Sequence, residues 1–396
     1  MFEFLSRNRS WPIALDLGSD AIKMLQMKRV GSVVCVGACG RWRYPQGAVD
    51  PRQRREMAVA AVRDMLRTGG FAGRNVVSAL SCETLGVKNV RLPHAPQSEM
   101  DRAVREEAAE RFGFDIAPDR LCYLNAGQVR QGAETRDEII MLAVSKAAID
   151  EHMAMLSGMG LRPEYIDAEP VALFHTFERF LRRRADEQAV SVVIDVGSRG
   201  TRVVVARGRE IVFIKNIEIG GHKFTEAVAK QLSIPYHEAQ ELRSRMMQTR
   251  PEAAPAAVAA DEAPLPAAPV VGGRGTVDWT IYDAVRAEVE SLGREIALCL
   301  RYCAVTFRGL RPDRVILAGG ESYDRAVVEL LGEHLGVPCQ VGQPLRGIDV
   351  SAVDLGGDRR ATLSEWAICA GLAAWNNEIP MGNASREGEN ERRLSA

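Results

Sequence analysis

Short apolar runs broken by glycine alternate along this chain with stretches of helical period. Ile13–Leu17, Ala21–Lys28 and Ser32–Ala38 have the length and apolar content of strands, with Gly31 between the last two. Met57, Ala61, Met65 and Leu66 give Gln53–Arg67 a helical period that closes at Gly69-Gly70. Asn75–Leu80 and Glu83–Arg91 read as strands. Ser98-Glu-Met-Asp101 resembles a capping box opening a helix to Phe112. Ile139–Val144 reads as a strand, and Ser145 as the cap of a helix running to about Met155. Glu169-Pro170 opens a further helix, whose expected end is the basic run Arg182–Arg184, cations that offset a helix dipole and face water. Mixed hairpins and crossovers predict an α/β protein with mixed sheets. Two stretches break the pattern. Between Pro251 and Pro269, 14 of 19 residues are Ala or Pro, so 249–276 is expected to be a flexible surface insertion. The polar tail from Asn376 lacks periodicity and is expected to be disordered.

The most informative pattern is a repeat. Ile13-Ala-Leu-Asp16-Leu-Gly18-Ser19 recurs as Val192-Val-Ile-Asp195-Val-Gly197-Ser198, 179 residues on, and Ile22-Lys-Met-Leu aligns without a gap against Thr201-Arg-Val-Val. Each copy is an apolar strand tipped by Asp, a Gly-Ser turn and a second strand; the later copy adds a third, Ile211–Ile217. An Asp at a buried strand end needs a cationic or protic partner. A following Gly admits close backbone approach, and successive turn amides make an anion nest. Two such hairpins facing one another could hold a polyphosphate, with the carboxylates orienting Mg²⁺ through its waters. One D-x-G-S alone is an ordinary strand-end turn; two in matching contexts carry the signal. Val315-Ile-Leu-Ala-Gly319-Gly320-Glu321-Ser322 adds a strand running into a double glycine, either a site where a ring or sugar packs on bare backbone or a plain βα turn. A helix from about Tyr323 to Leu335 should follow it.

Charge and cysteine usage narrow the classes. Lys plus Arg is 51 and Asp plus Glu is 52, a balance that argues against bulk-charge binding of nucleic acid or an anionic membrane. The eight cysteines form no C-x-x-C pair and lie in apolar surroundings, as reduced core residues of a cytoplasmic protein do. The six histidines are dispersed. No signal peptide and no apolar run of membrane-spanning length is visible.

In this order the motifs resemble the ATPase core shared by actin, heat-shock chaperones, sugar kinases and FtsA. Within that superfamily the chain looks like the PilM family of type IV pilus assembly. The likeness runs from Phe2 to Trp375. It includes the opening MFEFL, Asp16-Leu-Gly-Ser with Lys23, Glu169-Pro170-x-Ala172, Asp195-Val-Gly with Thr201, Ile219-Gly220-Gly221-x-x-Phe224-Thr225, Leu317-Ala-Gly-Gly and Ala370-Gly371-Leu-Ala. The resemblance implies duplicated ribonuclease H-like domains plus an inserted subdomain. It places the first core domain at 1–75 and 168–187, and the insertion at 76–167. The second core domain falls at 188–220 and 312–376, a helix-rich nucleotide-covering subdomain at 221–311, and a tail at 377–396. It implies ATP and Mg²⁺ as ligands. Asp16 and Asp195 would hold the hydrated metal. Gly18, Ser19, Gly197 and Ser198 would offer amides to phosphate, and Lys23 would neutralise its charge. Thr201 would hydrogen-bond behind the second turn. Gly319 and Gly320 would border the adenosine, and Gly220 and Gly221 would begin the covering subdomain. Glu169 stands where the superfamily often places the group that orients attacking water; it is equally read as a helix N-terminal acid. Where the family commonly has Glu and a basic residue beside the ribose, this chain has Gln240 and Arg243, a departure consistent with weaker nucleotide affinity and with turnover that is slow or absent.

The implied partner is the N-terminal cytoplasmic peptide of a PilN-like inner-membrane protein, bound in a groove between the N-terminal domain and the insertion. Other pilus assembly components are implied too, self-association is allowed, and no nucleic acid or direct membrane insertion is expected. The competing readings are an FtsA-like division protein, against which the tail lacks an apolar helix face, a small-molecule kinase, for which no catalytic Asp is evident, and a pseudo-ATPase binding module.

Overall fold

The computed structural model describes residues 11–45, 47, 50–132, 134–248, 276–356 and 362–375. The opening MFEFL, the Ala/Pro stretch 249–275 and the tail 377–396 lie outside them.

The chain folds twice in the same way. β1 (Ile13–Leu17), β2 (Ala21–Val30), β3 (Val33–Arg43), β4 (Asn75–Leu80) and β8 (Arg162–Ala168) form one sheet in the order β3-β2-β1-β4-β8. β9 (Val190–Val196), β10 (Thr201–Arg207), β11 (Glu210–Ile217), β12 (Arg314–Ala318) and β13 (Cys339–Val341) form the second in the order β11-β10-β9-β12-β13. In each, three strands run as an antiparallel meander and two more add in parallel beside the first. The motif repeat is therefore a repeat of whole sheets, as expected for duplicated mixed-sheet domains.

Strand alternation sets what each face does. Ile13, Leu15, Ile22 and Met24 pack with α1 (Pro51–Thr68) and α3 (Lys146–Met159) in one cluster. Ala14 and Met27, on the opposite pleat, join the large central cluster with α4 (Glu169–Glu178) and α9 (Ala367–Ala373). These two helices lie between the sheets. α4 follows the first sheet and packs against its β4 and β8 as well as against β9 and β10; α9 ends the second half yet packs against β1, β2 and β4. They cross closely enough that a Cβ on Gly371 would stand 1.8 Å from the Ala172 carbonyl oxygen.

Between β4 and β8 the chain leaves the first sheet for a separate one, β5 (Leu85–Pro93), β7 (Glu134–Val144) and β6 (Leu121–Gln131) in the order β5-β7-β6, covered by α2 (Gln97–Arg111). β4, α3 and β8 themselves belong with the first sheet, so at strand level the excursion is narrower than 76–167. α5 (Gly221–Leu232), α6 (Tyr236–Gln248), α7 (Thr276–Thr306) and α8 (Arg325–Leu335) complete the second half. α7 reaches the inserted sheet, where Arg91 bonds Thr306 at 2.9 Å and Glu138 at 2.8 Å.

Two local expectations are corrected. The helix expected from Ser98 begins at Gln97 with Pro96 as cap and no side-chain capping bond, because proline presets the turn and leaves Ser98 inside the helix. The helix from Glu169 stops at Glu178; Arg182–Arg184 lie beyond it, and Asp186 accepts the amides of Arg182 and Arg183. No helix among the described residues is long and apolar enough to cross a membrane.

Candidate functional site

The first hairpin is β1–β2. Antiparallel register puts Lys23 directly across from Asp16, and the Lys23 Nζ lies 2.9 Å from the Asp16 Oδ2. Asp16 shares its pleat with Ala14, which directs it toward α9 and away from α1. The Cys369 Sγ of α9 reaches the Ala14 and Lys23 carbonyls. Burial alone would depress the Lys23 pKa, but Asp16, Cys369 and Asp195 outweigh it and hold the ammonium above the ordinary lysine value. Gly18 turns the chain so tightly that a Cβ there would meet the Ala21 carbonyl oxygen at 2.8 Å. The neighbouring Ser19 carbonyl accepts from Arg54.

The second hairpin, β9–β10, repeats this arrangement with a different cation. Arg202 stands across from Asp195, and its Nη1 donates to the Asp195 Oδ2 at 2.7 Å. The Gly197 amide closes the turn on the Gly200 carbonyl at 3.0 Å. Thr201 donates to the Ile219 carbonyl at 2.7 Å, bonding behind the turn. The Gly197 and Ser198 carbonyls in turn accept the first amides of α5, from Gly221 and His222. Gly220 is wedged there: a Cβ would stand 2.5 Å from the Gly197 oxygen.

Glu169, the first residue of α4, joins the two halves. Its Oε2 accepts from the Arg202 Nε at 2.7 Å and from the Cys82 amide at 3.1 Å. Burial pushes the Glu169 carboxyl pKa up and nearby Asp16 adds to this, while Arg202 pulls it down; the balance is above the ordinary value. Asp195 helps hold Lys23 protonated and Asp16 helps raise Glu169, so the two hairpins and α4 lie within electrostatic reach of one another.

Gly319 closes the second hairpin from the side. Its φ is 87°, and a Cβ would stand 2.3 Å from the Val196 carbonyl and 2.7 Å from the Asp195 Oδ1, so only glycine fits. Gly320 is exposed at the start of a 3-10 turn. Gly221 faces the Glu321 carboxylate. Arg243 is buried and committed, bonding Glu321 at 2.6 Å, Asp324 at 3.3 Å, the Gly221 carbonyl at 3.1 Å and Thr225 at 3.0 Å. It ties α5 and α6 to the turn after β12. Gln240, one helical turn earlier, is partly buried.

Two members of the cluster, Arg202 and Glu321, were not assigned roles from sequence. Arg202 had a signal, since the gapless repeat aligns it with Lys23. Glu321 had none, because its partner Arg243 is remote in the chain.

Where hydrated Mg²⁺ is expected, three carboxylates already share two protein cations. Both aspartates are already paired with a cation, Lys23 at 13% and Arg202 at 18% side-chain exposure. Among the described residues no group of three or more His, Cys, Asp or Glu is arranged to hold a metal. The glycine-lined turns, by contrast, suit an oxyanion ligand that needs close backbone approach.

The family described as type IV pilus assembly protein PilM matches residues 14–256. The model of cell division protein FtsA matches residues 192–360. Among solved structures, a PilM-PilN type IV pilus biogenesis complex superposes with a TM-score of 0.69 at 22% identity, over 91% of this chain and 97% of that one. The ethanolamine utilization protein EutJ from Carboxydothermus hydrogenoformans follows at 0.51 and 13%, over 92% and 89%. The duplicated sheets and the two helices between them are thus an actin-like fold.

Proposed function

This chain belongs to the PilM family of type IV pilus assembly proteins, and on that premise we propose that it is a cytoplasmic ATP-binding member whose nucleotide state governs docking of a PilN-like inner-membrane partner. The observation that carries the nucleotide reading is the pair of matched hairpins, Asp16 with Lys23 and Asp195 with Arg202, within electrostatic reach of one another, with Gly319 against the second. Phosphate groups would be received by the turn amides around Gly18, Ser19 and Ser198, the Gly197 amide being closed on the Gly200 carbonyl, with Lys23 and Arg202 supplying charge. Adenosine would lie along Gly319 and Gly320, with Gln240 the α6 group free of the Arg243 network. Glu169 serves as a clasp between the halves.

The partner would contribute its N-terminal cytoplasmic peptide. A hollow of about 380 Å³ between α1 and α3 is lined by Val59, Ala60, Ala154 and Met155 and edged by Arg55 and Arg63. Both helices pack on the first sheet, so this hollow lies within the first half of the molecule and not, as expected from the sequence, between it and the inserted sheet; its apolar floor and charged rim suit an extended peptide with apolar anchors. The solved PilM-PilN complex supports a partner of this kind.

Fluorescence polarisation with a labelled ATP analogue and with the partner's N-terminal peptide tests both parts. Micromolar binding of each is expected, with Asp195→Ala weakening the nucleotide at least about tenfold. Nucleotide binding unchanged in Asp195→Ala refutes the site, and absence of peptide binding with and without ATP refutes the partner.

A further inference from the structure

In the nucleotide reading both aspartates are the groups a divalent cation would approach, and in this chain each is already occupied. The Asp195 Oδ2 is held by Arg202 at 2.7 Å. The Asp195 Oδ1 lies against the Gly319 backbone, at 2.7 Å from where a Cβ would be. The same guanidinium donates through Nε to Glu169 at 2.7 Å, so its plane is fixed between two carboxylates contributed by different halves of the molecule. Asp16 is held by Lys23 at 2.9 Å. All three carboxylates are at least nine-tenths buried, where leaving any of them unpaired is costly.

We propose that the Arg202 guanidinium takes the place at Asp195 that a divalent cation would take, so that the paired hairpins receive nucleotide phosphates without requiring Mg²⁺. An arginine does this well because it stays charged at every relevant pH and has five donors: Nε and Nη1 are given to Glu169 and Asp195, and the remaining N–H groups of the fork are the ones that would face an oxyanion. Lys23 does the same across the first hairpin. The cation supply is built into the strands at the position facing each aspartate, and an additional divalent ion would have to displace it.

This inference rests on the nucleotide reading, and the test separates the two. Mn²⁺ alone is titrated into the full chain and followed by loss of the free-ion paramagnetic signal. A labelled ATP analogue is titrated in parallel, in EDTA and in Mg²⁺. The proposal expects no saturable Mn²⁺ uptake by the natural chain and nucleotide affinities within about threefold in the two media. The double variant E169Q/R202Q removes the guanidinium together with one buried charge, which protects folding, checked by circular dichroism. It should gain saturable Mn²⁺ binding and lose at least tenfold in nucleotide affinity in EDTA, with partial recovery in Mg²⁺. Saturable Mn²⁺ uptake by the natural chain that Asp195→Asn abolishes would overturn the proposal, and so would a tenfold or larger loss of nucleotide affinity on adding EDTA. If no nucleotide binds in either medium, the nucleotide reading fails and the Mn²⁺ titrations still decide whether Arg202 excludes the metal.

Discussion

Replacing Arg202 by methionine leaves the Glu169 and Asp195 carboxylates buried without their shared cation. Each loses a charge-assisted hydrogen bond of 2.7 Å. Breaking a buried ion pair from one side costs about 3–5 kcal/mol. Protonation sets a ceiling on the Glu169 share: neutralising a carboxyl of ordinary pKa 4.5 at pH 7 costs about 3.4 kcal/mol, so the folded chain takes up a proton before paying more. At pH 5 the same proton costs about 0.7 kcal/mol. The sign follows from linkage. A carboxyl whose folded pKa lies above its unfolded one binds more protons in the folded state, so stability falls as pH rises. Arg202→Met should therefore be about 3–5 kcal/mol less stable than the natural chain at pH 7, with the gap narrowing by roughly 2–3 kcal/mol at pH 5. Urea denaturation at the two pH values measures this, and adding Glu169→Gln should recover part of the pH 7 loss. A variant within about 1 kcal/mol of the natural chain at pH 7, or a gap that ignores pH, would refute the claim that Arg202 holds both carboxylates in a dry cluster.

His152 on α3 is buried, bonds Ser78 at 2.8 Å, and has its pKa pushed down by burial to about 4. Because the unfolded chain binds its proton more readily, about 3 kcal/mol of stability should be lost as pH falls from about 6.5 to 4, and His152→Gln should flatten that part of the stability profile. Gly371→Ala puts a methyl 1.8 Å from the Ala172 oxygen and should cost about 2–3 kcal/mol or more in thermal denaturation, while Gly320→Ala, which meets nothing within 4 Å, should be nearly silent. Met155→Glu, on the floor of the α1–α3 hollow, should weaken peptide binding at least about tenfold while leaving nucleotide affinity unchanged, as polarisation with each labelled ligand would show.

The hairpins were legible because an apolar strand tipped by Asp and stopped by Gly leaves a local signature, and two copies fixed their equivalence. The gapless alignment even contained Arg202 opposite Asp195; the chemistry of the pair appears only when the antiparallel register sets them face to face. Less of the inserted sheet could be read. β6 carries Asn125, Gly127, Gln128 and Arg130, and a register shift between Asn125 and Gly127 breaks its alternation. β8 is an edge strand with Pro163, Glu164 and Asp167, whose pairing with β4 is supplied by a distant segment rather than by its own apolar content. The Arg243 network escaped for a similar reason: its acids, Glu321 and Asp324, come from beyond α7, and nothing local marks them.

The placing of α4 and α9 between the two sheets has a mechanical consequence. Glu169 at the start of α4 grips the second hairpin through Arg202, and Cys369 of α9 sits on the first hairpin. The two helices touch through the Thr176 bond to the Ala367 carbonyl, at 2.5 Å, and the Gly371–Ala172 contact. A change in the spacing of the hairpins must therefore move this crossing or break one of its grips. From the first hairpin the path to the surface is short: β1 pairs with β4, and Ser78 of β4 bonds His152 of α3, which forms one wall of the proposed peptide hollow. Contiguity of this kind does not by itself establish coupling. It does fix the form coupling must take. If nucleotide changes peptide affinity by some factor, peptide must change nucleotide affinity by the same factor. Gly371→Ala, which wedges the crossing apart without touching either ligand, should reduce that factor in both directions equally. A coupling factor left unchanged in Gly371→Ala would place the communication outside the α4–α9 crossing.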